Sequence, residues 1–263
     1  MAALESMNDD LQPWLDDWPY NPDEDLMVRR VPGPDGRLRL QVRVELGLLE
    51  LHTEGRPDGQ RPFDHDSLLA FWQSQIRAES EGEVDGHFSL DHDECRDLQR
   101  EANQYYHRRI SWLRLGDYPR AAADARHSLA IMDLLEARAA DRADWHNSEQ
   151  FRCFVLGHLI RAEALDHLTR EDRAGALQVL DNGIDTIEAY FRDTQQRPEL
   201  ASGDPTLSEL RDLRQSVLTH VPLPVILPPE SDRQRLEREL VDAIAAENYE
   251  QAAVLRDQLR LLD

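Results

Sequence analysis

Residues 93–142 read DECRDLQREANQYYHRRISWLRLGDYPRAAADARHSLAIMDLLEARAADR, and apolar residues recur through them at helical spacing. Such spacing is typical of amphipathic helices that bury one face. A turn signal at Gly116-Asp117 interrupts the pattern. The stretch therefore predicts two long helices that meet at Gly116-Asp117-Tyr118, the second of which runs to about Ala143.

This pair of helices resembles a tetratricopeptide repeat, in which small residues let two antiparallel helices approach and aromatic residues fill the space between them. A weaker second copy follows at 154–191, at more than the usual repeat period of about 34 residues. The resemblance covers roughly 98–192 and implies a helical body with a concave face for a ligand. The residues that carry it are Tyr105, Trp112, Gly116, Tyr118, Ala121, Ser128 and Leu129, then Ala164, Asp172, Ala176, Gly183 and Ile184.

One face of the first helix carries Tyr105, Arg109 and Trp112. These three side chains either line a groove or pack inside the helical pair, and packing is the plainer account.

The last 33 residues, 231–263, carry a second hairpin pattern. Ser231 or Asp232 caps a helix that runs to about Ala246, Glu247-Asn248 forms a turn, and a second helix runs to Leu262. The inner face of that second helix is predicted to hold four residues spaced 3, 4 and 3 apart, namely Ala252, Leu255, Leu259 and Leu262.

This hairpin is similar to the UVR domain, which the excision-repair proteins UvrB and UvrC share and through which they pair. Because about thirty residues in two helices bury too little apolar surface to be stable alone, the hairpin must pack on a second copy, on a partner or on its own body. The resemblance implies protein–protein association through Leu236, Leu240, Ala243, Tyr249, Ala252, Ala253, Leu255, Arg256, Asp257 and Leu259, with Glu250 completing the match. UVR domains also occur in Clp-type ATPases and in the activator of a protein-arginine kinase, whose Cys-based zinc sites this chain lacks.

The segment between body and hairpin reads PLPVILPPES from Pro222 to Ser231. Four prolines in ten residues exclude a helix and favour an extended, semi-rigid spacer. We therefore predict a linker at 222–230 between a helical body at 67–221 and the hairpin at 231–263.

The N-terminal part has a different period. From Leu26 the chain alternates apolar and polar residues around the turn signal 32–36, and Gly47 shifts the alternation. We predict a small antiparallel sheet of two or three strands within 26–66. The preceding residues 1–25 form an acidic tail whose Trp14, Trp18 and Tyr20 either pack on the body or anchor a partner.

Two polar segments are candidates for ligand binding. The loop 54–67 concentrates Arg56, Asp58, Arg61 and His65, which could hold an anion or a metal, or could simply form a hydrogen-bonded turn before an N-cap at Ser67. The stretch 87–97 is rich in acids and includes His87 and His92, but its spacing puts no two imidazoles on one helical face. We expect no metal site and no cofactor.

Composition narrows the function further. The net charge of −22 repels phosphate backbones, so we expect no direct nucleic-acid contact. All 30 basic residues are Arg, which excludes a Walker-A loop and Schiff-base chemistry, both of which need Lys. Cys95 and Cys153 lack an adjacent base. Without a membrane span or a leader pattern, a cytoplasmic protein is expected.

The sequence thus predicts a mainly α protein (α+β) with a small N-terminal antiparallel sheet, repeat-like helical hairpins and a C-terminal helical hairpin. As a whole it resembles bacterial proteins with a terminal UVR motif. We predict a non-enzymatic adaptor that docks a UVR-containing partner or a second copy of itself, with a link to nucleotide excision repair through the resemblance alone. The alternatives are a regulatory adaptor of a Clp-type protease or stress system, or a metal-dependent enzyme using His65, His87 and His92.

Overall fold

The computed structural model describes residues 10–82, 87–193, 203–219 and 255–256. This part of the chain is mainly helical, with a three-stranded antiparallel sheet near the N-terminus, which confirms the predicted fold class. In chain order the elements are α1 (Gln12–Asp17), β1 (Met27–Pro32), β2 (Leu38–Val44), β3 (Gly47–His52), a 3-10 turn (Pro62–Asp64), α2 (Leu68–Ser80), α3 (His92–Arg114), α4 (Tyr118–Arg138), α5 (Arg142–Glu149), α6 (Arg152–Thr169), α7 (Arg173–Asp193) and α8 (Pro205–Thr219).

The sheet has the order β1-β2-β3, so β2 is central. Val44 pairs with Gly47, so the two residues between them, Glu45 and Leu46, form a tight turn just before the glycine at which the alternation shifts. Leu46 in that turn is 90% exposed. Leu40 and Val42 of β2 point to the helices and pack in one core cluster with Trp112 of α3. Burial of this apolar face fixes the register of the sheet against the helical body.

The helices of the body pack on their neighbours along the chain. Helix α4 contacts both α3 and α6, α7 contacts α6, and α8 contacts both α6 and α7. Gly116 adopts a left-handed φ of 70° just after α3, where a residue without Cβ is unstrained. The predicted break between the two long helices therefore lies where the sequence placed it.

Helix α4 ends at Arg138, before the expected end near Ala143. Ala139 is extended and forms a parallel bridge with Leu90, in which the Leu90 amide donates to the Arg138 carbonyl at 2.8 Å and the Ala140 amide donates to the Leu90 carbonyl at 2.9 Å. Asp141 then caps the separate helix α5 by accepting from the Ala143 amide. The contact is long-range, so local helical propensity did not reveal it.

The described part of the N-terminal tail is only partly packed. Trp18 lies under the guanidinium of Arg29, 4.4 Å from the ring centre, and its carbonyl accepts a hydrogen bond from Arg43 at 2.9 Å. Trp14 of α1 remains 57% exposed. One of the two tryptophans thus packs on the sheet and the other faces solvent. Within the described ranges, no helix combines the length and apolar character that crossing a bilayer requires.

A buried guanidinium joins the sheet to the helices. Arg108 of α3 is 4% exposed and binds Asp124 of α4 through two hydrogen bonds of 2.9 and 2.7 Å. Its Nη1 also donates to the carbonyls of His52, the last residue of β3, and of Gly55, at 2.9 and 2.8 Å. Burial opposes the charge on Arg108, but the hydrogen bonds to Asp124 outweigh it and raise the pKa of Arg108.

A fully buried carboxylate holds the start of α2. Glu101 of α3 accepts from the backbone amides of Leu68 and Leu69 at 2.7 and 3.1 Å, and it contacts His127 Nε2 at 2.9 Å. Ser67 caps the same turn by accepting from the Ala70 amide at 3.0 Å. A carboxylate at a helix N-terminus satisfies free amides and complements the helix dipole.

Replacing Glu101 with Ala should destabilise the protein, because two buried amides and His127 lose their acceptor. We expect a loss of about 2–4 kcal/mol in the free energy of unfolding by urea. Amide exchange at Leu68 and Leu69 should accelerate more than exchange in α7. The control Glu136→Ala, at an exposed position of α4, should change stability by less than about 0.5 kcal/mol. Equal effects of the two variants would contradict the capping role.

Candidate functional site

A groove of about 1120 Å³ runs between α3, α6 and α8. Tyr118 at the start of α4 and Tyr190 and Phe191 near the end of α7 also line the groove. The apolar lining includes side chains from all three helices, namely Ile110, Leu113, Phe154, Leu165 and Leu213. Such a concave, mostly apolar surface is the usual form of a binding site.

Helices α6 and α8 run in the same direction along the groove. Thr206 lies against Gly157 near one end, and Glu209 is 3.7 Å from Arg161 one turn further on. A Cβ at position 157 would overlap the methyl group of Thr206, so the present contact between the two helices depends on residue 157 having no side chain. The glycine therefore sets the width of the groove.

One polar group of the groove is held by a buried arginine. His158 of α6 lines the groove, and its Nδ1 accepts a hydrogen bond from Nε of Arg109 at 3.1 Å. Because an arginine Nε can only donate, Nδ1 is unprotonated and the neutral ring carries its proton on Nε2. Burial, with added repulsion from Arg109 and Arg161, lowers the pKa of His158 to about 3. The groove thus holds a neutral imidazole with a fixed tautomer and an N–H donor.

Arg109 itself is 1% exposed and lies behind His158. Its Nη1 donates to the Ser128 hydroxyl at 3.2 Å, and its guanidinium carbon lies 5.5 Å from the ring centre of Tyr106. Among the described residues no carboxylate forms an ion pair with Arg109, and burial lowers its pKa to about 10. Burying a cation without a paired anion costs free energy of folding, so the position of Arg109 beside the groove is a distinctive feature of the structure.

Charges along the groove are largely paired within the protein. Arg161 faces Glu209, and Arg114 donates to the Leu26 carbonyl at 3.2 Å. Asp204 caps α8 by accepting from the Leu207 amide at 3.0 Å. A bound molecule would therefore mainly meet an apolar surface and the N–H donor of His158, and it would meet few unpaired charges.

The predicted loop residues are divided between two places. Arg56 is paired with Asp58 at 3.1 Å and lies 3.8 Å from the buried Glu101. Arg61 instead pairs with Asp66, and His65 contacts the Phe63 carbonyl at 2.7 Å, both at the protein surface. The structure does not bring the four residues together, because Arg56 and Asp58 face α3 while Arg61 and His65 lie at the surface.

The three histidines considered for a metal are also separate. His87 contacts Glu79 at 2.8 Å, and His92 contacts Asp144 at 2.8 Å. Across the ranges that the structure describes, no three His, Cys, Asp or Glu side chains are grouped so as to hold a metal ion. Burial raises the pKa of both Cys95 and Cys153 to about 12, which keeps these thiols protonated near neutral pH.

The shared face of α3 is packed and does not line the groove. Tyr105, Arg109 and Trp112 are all buried, and Tyr105 stacks on His127 at 3.6 Å between ring centres. The groove instead uses the neighbouring Ile110, Leu113 and Arg114. Sequence reasoning missed His158. Two signals were present in the sequence: the HRR stretch at 107–109, and a histidine on a second helix that carries small residues.

Of the predicted partner-binding residues, the described part of the chain contains only Leu255 and Arg256. Both are helical, and Leu255 is 5% exposed. The remaining residues of that set, Leu236, Leu240, Ala243, Tyr249, Ala252, Ala253, Asp257 and Leu259, lie outside the described residues, as does the linker.

Comparison with protein-family models gives one match, to the UVR family, described as the UvrB/uvrC motif, over residues 233–263. The chain therefore carries a UVR motif at its C-terminus, as the residue pattern predicted. No curated protein and no solved structure matches the chain. The motif indicates a role in protein interaction or in a process related to DNA repair.

The low pKa of His158 predicts a pH-dependent stability. Because the pKa in the folded protein lies below its ordinary value of 6.5, the unfolded chain binds more protons and stability falls as pH falls below 6.5. Between pH 6.5 and pH 5 the protein should lose about 2 kcal/mol more than the variant His158→Gln. Urea unfolding at a series of pH values measures the difference.

The glutamine can still accept from Arg109 but does not titrate. His107, whose pKa burial also lowers, contributes to both proteins alike. The control His146→Gln, at an exposed position, should keep the slope of the parent protein. A parent and a His158→Gln protein with parallel pH profiles would contradict the neutral, buried state of His158.

Proposed function

We propose that the protein is a non-enzymatic adaptor that docks a protein partner through the hairpin at 231–263. The observation that carries this proposal is the UVR match at 233–263. Its support from the described residues is the helical conformation of Leu255 and Arg256, which the predicted hairpin requires. Leu255 is one of the inner-face residues in the predicted hairpin.

The proposal follows from the size of the hairpin as well. Two helices of this length need a further apolar surface to be stable. Its apolar inner face can be completed by a partner hairpin, and we propose a UVR-containing protein as that partner. The partner-binding residues proposed are Leu236, Leu240, Ala243, Tyr249, Ala252, Ala253, Leu255, Arg256, Asp257 and Leu259.

The helical body supplies the second half of an adaptor. We propose that its hairpins are tetratricopeptide-like and that the groove between α3, α6 and α8 is their concave, ligand-facing side. In this proposal the protein connects a UVR-containing protein to other components of its pathway without contacting DNA. The net charge of −22 supports indirect action, because it opposes association with a phosphate backbone.

The test is capture of partners from native lysate by the full chain and by a version that ends at Pro229. The adaptor proposal expects at least one partner that is lost on truncation. That partner also decides the pathway, because an excision-repair protein and a Clp-type ATPase are distinct outcomes. An identical set of partners with both proteins would overturn the proposal.

Replacing Leu255 and Leu259 together with Asp should abolish binding of that partner, because two charges on the inner face prevent apolar docking. The body should stay folded, as circular dichroism and thermal unfolding would report. The matched control is Leu46→Asp, a leucine that is 90% exposed in the sheet turn, and this variant should bind as the parent does. Unfolding of the body in the double variant would instead make the hairpin an intramolecular element.

A further inference from the structure

A row of four aromatic rings lies along α2, on a different part of the body from the groove. The row begins at Phe63 in the 3-10 turn and continues through Phe71 and Trp72 of α2. It ends at Phe88, which precedes α3. Neighbouring ring centres along the row are 4.2, 4.9 and 5.2 Å apart, which are distances typical of aromatic contacts. We call these four residues the aromatic row.

The protein closes one end of the aromatic row with its own guanidinium. The guanidinium carbon of Arg138 lies 4.6 Å from the ring centre of Phe88. Arg138 is also paired with Glu79 at 2.8 Å. The face of an aromatic ring attracts a cation, and a carboxylate beside that cation balances its charge. This end of the row therefore shows a complete arrangement of ring, guanidinium and carboxylate.

The other end of the aromatic row, at Phe63, is open. The Phe63 ring is stacked on Phe71 with an angle of 25° between the ring planes, yet Phe63 is 67% exposed. One face of the ring is thus covered and the opposite face is available to a bound group. Among the residues that the structure describes, no arginine lies over this ring. Arg61, two residues away, instead binds Asp66 and the Asp64 carbonyl.

The backbone holds Phe63 at the surface in an unfavourable conformation. Phe63 and Asp64 are consecutive residues with φ of 50° and 60°, a region in which side chains are strained. The turn is held by Arg61, which donates to the Asp64 carbonyl at 3.1 Å, and by His65, whose Nδ1 lies 2.7 Å from the Phe63 carbonyl. Strain of this kind is typical of positions that bind a ligand. It therefore supports a binding role for the exposed ring.

Charge indicates which group the open end accepts. Asp64 is exposed, and in the described part of the chain its carboxylate forms no ion pair. A net charge of −22 also favours basic partners over acidic ones. An arginine suits both features, because its planar guanidinium stacks on a ring while its N–H groups donate to a carboxylate. A lysine ammonium is compact and strongly hydrated, so it does not stack in this way.

We propose that Phe63 and Asp64 bind an arginine side chain that is exposed on a partner protein. The guanidinium lies on the open face of the Phe63 ring and donates to the Asp64 carboxylate. The aromatic row is then closed at both ends by the same chemistry, since Arg138 and Glu79 supply it at Phe88. This contact surface goes beyond the adaptor proposal and depends neither on the hairpin nor on the groove.

The test uses the full chain with para-fluorophenylalanine in place of Phe63, so that the fluorine NMR signal reports on this one ring. The probe is a peptide of alternating arginine and glycine, added at physiological salt to screen distant charges. Addition of the peptide should shift the fluorine signal until the site is saturated. The matched control carries the same label in place of Phe88, whose ring Arg138 already covers, and its signal should stay unchanged.

Two changes separate a guanidinium contact from simple apolar docking. Pentafluorophenylalanine in place of Phe63 keeps the apolar area but reverses the polarity of the ring face, so it should weaken binding of the peptide about fivefold. Asp64→Asn in the para-fluoro chain should weaken binding about threefold, because it removes the negative charge. Glu136→Gln removes an exposed charge of α4 instead and should leave the affinity unchanged.

A lysine–glycine peptide of the same length should bind about fivefold more weakly than the arginine–glycine peptide. Equal binding of the two peptides, unchanged affinity with pentafluorophenylalanine, equal shifts at positions 63 and 88, or no shift at position 63 would each overturn the proposal. A signal at position 63 that changes when the protein alone is diluted would also overturn it, because a second copy would then supply the arginine. Capture of partners by the hairpin is a separate readout, so this inference and the adaptor proposal can fail independently.

Discussion

The buried charge of Arg108 fixes the relation between the sheet and the helices. Its guanidinium, which is 4% exposed, binds Asp124 on α4 and two carbonyls at the end of β3 and just beyond it. Moving any of these elements would leave a cation or a carboxylate unpaired in the interior, which costs far more than a surface contact. The packing of Leu40 and Val42 on Trp112 follows from this arrangement, because the hydrogen bonds of Arg108 hold the apolar face of the sheet over α3.

The next residue along α3, Arg109, extends the same helix toward the groove. It points to His158 on α6 instead of to Asp124, so two consecutive arginines serve two different surfaces. Because α3 carries both, the position of the groove depends on the contact between α3 and the sheet. The sheet and the groove therefore share one supporting helix, and Leu26, directly before β1, also lines the groove.

The features that could be predicted from sequence are those with a local signal. Alternation around Pro32–Gly36 and the shift at Gly47 located the sheet, and the period of 93–142 located α3 and α4. The UVR pattern was readable because its residues lie close together in the chain, and the family match agrees with it. The end of α4 was not readable, since it depends on a bridge from Ala139 to Leu90, across the length of two helices.

The groove was harder to predict from the sequence, because its residues come from distant parts of the chain. The sequence indicated that Arg109 packs inside the helical pair, but it did not identify the partners. Only the packing of separate helices gives Arg108 its contact with Asp124 and Arg109 its contact with His158. Likewise, Arg56, Asp58, Arg61 and His65 are adjacent in sequence, yet their partners lie in different directions. Composition identified the groups available for chemistry and binding, but it could not assign their neighbours.

The contact between Gly157 and Thr206 gives one position an unusual weight. The hydrogen atom at residue 157 leaves room for the Thr206 methyl group, and any larger side chain would have to push that methyl group aside. A chain with alanine or serine there would have to turn the Thr206 side chain or move α8, and either change would alter the wall of the groove. One residue on the wall of the groove would then change the shape of the whole groove.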